Sequence, residues 1–258
     1  VLKNYGYNTS AFGKWHNTPE EQITNKGPFD YWPTGYGFEY FYGFLAGEAS
    51  QYEPTLTRNT TAVIQEPKKG YHLTEDIADD AITWLREQKA YAPEKPFLIY
   101  WAPGASHGPH QVMKEWADKY KGKFDDGWDA YREEVIANQK KLGVIPANAV
   151  LPERNPLIAD WKKLSPDQKK VYARFMEVYA GFLTYTDYEV GRVVNYLKET
   201  NQLDNTVIFL AIGDNGASKE GTTQGTISQS LFAQGVSEEQ NFQSNLANIG
   251  EIGTAKGL

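Results

Sequence analysis

The chain has 258 residues, with 26 Lys and Arg against 33 Asp and Glu, a net charge of −7. At about 100 to 200 residues per domain this is one large α/β-sized domain or two small ones, and 40% hydrophobic with 23% charged residues excludes a disordered, collagen-like or coiled-coil chain. No apolar run approaches the roughly 20 residues that span a bilayer, the negative balance argues against nucleic acid as a main partner, and the absence of Cys removes a disulfide framework, a thiolate zinc site and a cysteine nucleophile from this stretch.

Val1-Leu2-Lys3-Asn4 carries no initiator Met and no targeting pattern, and the Gly-rich end at Leu258 closes no element. Both ends read as cut, which predicts an internal piece of a longer protein. Asn8 to Phe12, followed by Gly13, reads as a strand ending at a loop. Between Pro28 and Tyr52 ten aromatics are interleaved with glycines without a clean 2.0 or 3.6 period, a pattern that predicts core filling around irregular backbone. Thr74 is the predicted N-cap of a helix whose Ile77, Ala81, Ile82 and Leu85 fall at helical spacing. Phe97 to Trp101 is a continuous apolar run of the kind found in strands buried on both faces.

Helices with charged faces are predicted from about Val112 to Tyr120 and from Asp129 to Leu142, the second stopping at Gly143. Ser165-Pro166 opens the longest helix, which keeps Val171, Phe175, Val178, Phe182, Val190 and Leu197 in phase and ends near Asn201. Val207 to Ile212 reads as a second central strand, and beyond Gly213 the Gly, Ser, Thr and Gln content predicts loop. Helices alternating with buried strands point to an α/β fold with a largely parallel central sheet flanked by helices on both faces. Short charge pairs such as Lys68-Lys69 and Glu133-Glu134 read as solvated surface.

In open α/β sheets the ligand lies outside the carboxyl ends of the strands. Each predicted strand runs into a polar cluster: the first into Gly13-Lys14-Trp15-His16, the second into Ser106-His107-Gly108-Pro109-His110, the third into Gly213-Asp214-Asn215-Gly216. Singly, Lys-x-His is a weak pattern and Asp-Asn-Gly is a common turn; their shared position is what carries weight. Asp214 and Asn215 offer a carboxylate and an amide carbonyl, hard oxygen ligands suited to Ca²⁺ or Mg²⁺. Two ligands are too few for such an ion, so further oxygens must come from elsewhere. Lys14 is a point charge fit for a tetrahedral oxyanion, and His16 and His107 can move protons near neutral pH. Together they suggest hydrolysis of a sulfate or phosphate ester.

These residues resemble the sulfatase family of the alkaline-phosphatase superfamily, specifically bacterial-type arylsulfatases. The likeness rests on Gly13-Lys14-Trp15-His16-Asn17-Thr18-Pro19, on Gly27 to Gly35 with Tyr40 to Leu45 and Gly47-Glu48, on Ala105 to Gln111, and on Gly213 to Ser218, all in order. The resemblance implies an alkaline-phosphatase-like fold, incomplete at both ends, with residues 1–258 forming part of a single catalytic domain. It implies Asp214 and Asn215 as calcium ligands and Lys14 as a sulfate-binding residue. His16 would contact the nucleophile and help release sulfate from it, and His107 would bind sulfate and assist protonation of the leaving alcohol or phenol. His110 would join substrate binding.

The family nucleophile is a formylglycine made from Cys or Ser in a Cys-x-Pro-x-Arg-type motif, and no such motif occurs here. The paired N-terminal aspartates of the calcium shell and a later lysine are also absent, so the 258-residue piece is expected to be inactive alone. The implied partner is a small-molecule or glycan sulfate ester. Two alternatives stay open: hydrolysis of a phosphonate monoester or phosphodiester at the same site, and a non-catalytic α/β module binding a sugar or partner through Phe29 to Tyr52.

Overall fold

The computed structural model describes residues 1–64, 68–213, 223–227 and 234–257. The chain divides into two compact units, Val1–Gln111 with Leu183–Ser218, and Val112–Phe182 with Lys219–Leu258.

The first unit is built on a five-stranded mixed sheet in the order β4-β3-β2-β1-β5, formed by β1 (Asn8–Lys14), β2 (Tyr40–Phe44), β3 (Leu56–Arg58), β4 (Thr61–Val63) and β5 (Phe97–Ala102). β1 runs parallel to both β2 and β5, with Lys14 opposite Phe44 and Gly13 opposite Ala102. β3 and β4 add an antiparallel hairpin beside β2. Strand side chains alternate between faces, and the core follows that period. Phe12, Tyr42 and Phe44 point to one face and pack with Leu56 against helix α1 (Leu73–Tyr91) through Leu73, Ile77, Ala78, Ala81 and Leu85. Burying Leu85 completely contributes about 2 kcal/mol.

Ala11 and Phe41 point to the other face and meet Trp15, Trp32 and Leu45, so the aromatic stretch does fill core there. Trp15 is held edge-on by Tyr36 at 5.4 Å and Phe38 at 5.8 Å. The strand inside this stretch, Tyr40–Phe44, is hidden in the sequence because Gly43 and continuous aromatics mask its alternation. Gly43 is required there: a Cβ would come within 1.9 Å of the Gly13 carbonyl oxygen on the next strand.

Helix α1 starts two residues earlier than its sequence suggests. His72 is the N-cap, its Nδ1 accepting from the Thr74 backbone N–H at 3.2 Å, and Thr74 lies in the first turn. A ring nitrogen does here what a hydroxyl or carboxylate usually does. Tyrosines tie the sheet to the helix, with half-buried Tyr40 donating to Asp80 and buried Tyr42 to Asp76, each at 2.6 Å. Burial and the adjacent carboxylates hold both phenols well above their ordinary range.

Two strand expectations differ from the structure. β5 is the edge of the sheet, with Tyr100 exposed, rather than a strand buried on both faces. Residues 206–213 form no strand, and Phe209 is 91% exposed. An apolar run records a demand for burial and does not say which edge will supply it.

The second unit holds α2 (Lys114–Ala117), α3 (Gly127–Leu142), the first half of α4 (Pro166–Glu199) and α5 (Glu238–Ala247). Gly143 ends α3 in the left-handed region, at φ 72°, as its position predicts. Ser165 and Gln168 form a reciprocal capping pair at the start of α4. Gly181 lets α4 approach α2, since a Cβ would lie 2.7 Å from the Ala117 backbone. α5 falls where loop is expected; Ser237 and Gln240 make a full capping box, a signal the low apolar content obscures.

From Leu183 onward α4 belongs to the first unit, where Val193 and Leu197 join the core and Arg192 pairs with Asp79 at 2.6 Å and Glu189 at 2.7 Å.

Candidate active site

Three neighbouring parallel strands end on one edge of the sheet, and each delivers a polar segment there. β1 ends in Lys14, with His16 two residues on; β5 leads into the loop of His107 and His110; β2, between the hairpin and β1, leads into Leu45-Ala46-Gly47-Glu48. This is the edge at which α/β sheets bind ligands.

The β1 extension is held firmly. Trp15 and His16 continue the ladder, their N–H groups donating to the carbonyls of Phe44 at 3.0 Å and Leu45 at 3.1 Å. The Trp15 indole N–H donates to the Tyr31 carbonyl at 2.8 Å, and Thr18 donates to the same oxygen at 3.0 Å. His16 is thereby fixed with φ 49°, a left-handed conformation that costs a non-Gly residue about 1 to 2 kcal/mol. Its ring lies over Gly47: a Cβ there would be 2.9 Å from His16 Cε1 and Nε2.

His107 Nδ1 donates to the Gly108 carbonyl at 2.8 Å and stands 3.9 Å from the Glu48 carboxylate. Consecutive residues of one turn therefore touch the two histidines, Gly47 against His16 and Glu48 beside His107. His110 Nε2 donates back to the Ser106 carbonyl at 3.0 Å, which orients its ring within its own loop.

The β2 and β5 loops are locked together beneath these side chains. The Gln51 N–H donates to Gln111 Oε1 at 2.8 Å, the Leu73 N–H to the Gln51 carbonyl at 2.7 Å, and Thr74 Oγ1 to Gln51 Oε1 at 3.1 Å. His72 Nε2 donates to the Gln111 carbonyl at 3.1 Å. Burial lowers the His72 pKa to about 4, so the ring is neutral and bonds through both nitrogens.

Of the residues singled out from sequence, Lys14 ends β1, and His16, His107 and His110 lie on loops leaving this same edge. Asp214 and Asn215 lie outside the described residues. Among the described residues no group of three or more His, Asp or Glu is placed to hold a metal ion, so no further calcium ligands are assigned from them.

A family model described as Sulfatase matches residues 1–246. The chain belongs to the sulfatase family. An uncharacterized sulfatase of Schizosaccharomyces pombe is 34% identical over 226 residues, covering 84% of this chain and 40% of its own length. An arylsulfatase of Klebsiella aerogenes is 27% identical over 264 residues, covering 98% of this chain and 52% of its own. Among solved structures, the Bacteroides fragilis protein yidJ superposes with a TM-score of 0.52 at 20% identity, over 80% of this chain and 40% of the other, a likeness of fold. This sulfatase chain thus spans about half the length of the relatives it matches, and its α/β fold is the one expected.

Sequence reasoning missed Glu48, Gln51, His72 and Gln111. Gly47-Glu48 stands out in the sequence only as part of a resemblance, and its place at the site becomes visible only once Tyr40–Phe44 is recognised as a third parallel strand ending beside Lys14. His72, distant in sequence from both histidine loops, carried no signal at all.

Proposed function

We propose that the whole protein hydrolyses sulfate esters, with Lys14, His16 and His107 acting on the sulfate group and residues 1–258 forming part of its single catalytic domain. The observation that carries this reading is the meeting of His16 and His107 on Gly47 and Glu48, at the carboxyl edge of three parallel strands, in a chain of the sulfatase family. Lys14 would bind sulfate oxygens, His110 would add to substrate binding, and His107 would donate a proton to the leaving oxygen from Nε2. His16 would contact the nucleophile and assist release of sulfate from it.

The 258 residues contain no Cys, so a formylglycine nucleophile made from Cys would lie outside them. Asp214 and Asn215 are hard oxygen donors that suit Ca²⁺. Calcium there would neutralise charge on the sulfate oxygens.

The test is turnover of 4-nitrophenyl sulfate by the full-length protein, beside a phosphonate monoester and a phosphodiester carrying the same leaving group. Sulfate should be preferred in kcat/KM, and with a primary alkyl sulfate, whose leaving oxygen needs a proton, His107→Ala should lower kcat by about 10² to 10⁴, the usual worth of a general acid. A preference for either phosphorus ester would assign the other reaction. A His107→Ala variant with wild-type kcat would remove His107 from the chemistry. The 258-residue chain alone should show no turnover.

A further inference from the structure

If His107 donates from Nε2, its Nδ1 must also be protonated, because that nitrogen already donates to the Gly108 carbonyl at 2.8 Å. A carbonyl oxygen fixes the tautomer with hydrogen on Nδ1 and leaves Nε2 a base. Donation from Nε2 requires the doubly protonated ring, a cation for which a neighbouring carboxylate is a favourable partner. The Glu48 carboxylate is 3.9 Å from Nδ1. The turn that carries it is anchored three residues on, where Gln51 is hydrogen-bonded to Gln111, Leu73 and Thr74. A carboxylate beside a site for an anionic ester opposes binding of that ester through charge alone, so its contribution must come from what it does to the histidine.

We propose that Glu48 is a positioning residue for His107, supplying the countercharge that supports the imidazolium and keeping Nε2–H directed at the leaving-group oxygen. This rests on the sulfate ester reading above. In the step concerned, an attacking oxygen nucleophile bonds to sulfur, the S–O bond to the leaving group breaks with its electron pair going to that oxygen, and the Nε2 proton moves to the same oxygen. His107 is left neutral. A leaving group that is a poor anion, such as an alcohol, depends on this proton; 4-nitrophenolate hardly does.

The experiment compares wild type and Glu48→Gln in the full-length protein, using 4-nitrophenyl sulfate and a primary alkyl sulfate. Glu48 is 44% exposed, so the substitution should leave the melting temperature unchanged. The expected result is a loss of kcat/KM at least about fivefold larger for the alkyl sulfate, with the effect in kcat rather than KM. In a His107→Ala background Glu48→Gln should cost nothing further, as required of a residue that acts through another. Equal losses for both substrates, no loss, or full additivity with His107→Ala would overturn the role of Glu48 while leaving the sulfatase reading intact. Failure of the wild type to cleave either sulfate would overturn that reading and this proposal with it.

Discussion

The Gln51 backbone N–H donates to the side-chain carbonyl of Gln111 across 2.8 Å, although the two residues are sixty positions apart in sequence. Both are buried, and each ends the loop that carries a site residue: Gln51 closes the turn of Glu48, and Gln111 follows His107 and His110. Replacing Gln111 by Ala strands a buried N–H, which costs about 1 to 3 kcal/mol. Urea denaturation should show a loss in that range for Gln111→Ala, whereas exposed Glu53→Ala should stay within about 0.5 kcal/mol of wild type. A Gln111→Ala variant as stable as wild type would mean that the two loops hold their places independently.

His72 makes the same network pH-dependent. In the unfolded chain a histidine titrates near 6.5; in the fold, burial brings His72 down to about 4. Between those values the unfolded state binds more protons, so stability rises with pH there. The contribution is fully present above about pH 6.5 and is lost as pH falls toward 4, amounting to about 3 kcal/mol at most. Measured against urea at pH 7 and pH 4.5, wild type should weaken more steeply than His72→Gln. Parallel losses in the two proteins would show that other groups set the acid sensitivity.

Much of this was legible in the sequence, and the reason differs by element. β1, α1, α3 and α4 announce themselves because local periodicity, a cap or a terminal glycine decides them. The edge that gathers Lys14, His16 and His107 could be inferred because polar clusters follow apolar runs. What stayed hidden depends on partners. Glu48 matters only through a strand pairing that Gly43 and the aromatics disguise, and His72 caps a helix with a ring nitrogen, which no capping pattern includes. Val207 to Ile212 shows the opposite error: a strand-like composition without a ladder in the described structure.

Two glycines near the site should respond to the same substitution in opposite ways. At Gly43 a methyl group meets the Gly13 carbonyl at 1.9 Å, and neither strand can yield without parting β1 from β2. Gly43→Ala should therefore destabilise the protein by about 3 kcal/mol or more. At Gly47 the obstacle is the His16 ring at 2.9 Å, the far end of a side chain that can swing aside. Gly47→Ala should melt close to wild type yet lower kcat of the full-length protein at least about tenfold, because a small displacement of a reacting group is costly. Unchanged kcat would mean that His16 need not occupy its present position.

The run after α4 leaves Val207, Ile208, Phe209, Leu210 and Ile212 each more than half exposed, and the outer edge of β5 adds Tyr100 at 45%. Scattered apolar residues on a surface are ordinary, but five within six positions form a continuous patch. Among the described residues this run joins no ladder, and strand-like apolar backbone outside a ladder invites pairing with a second chain. The 258-residue chain should accordingly bind an apolar fluorescent dye and associate as its concentration rises. The double substitution Phe209→Lys and Leu210→Lys places two like charges in the run, which should lower dye binding severalfold and raise the soluble fraction. Dye binding that does not fall would locate the exposed apolar surface elsewhere, with the β5 edge the next segment to alter, since Tyr100→Lys acts on a strand whose inner partner, β1, is already fixed.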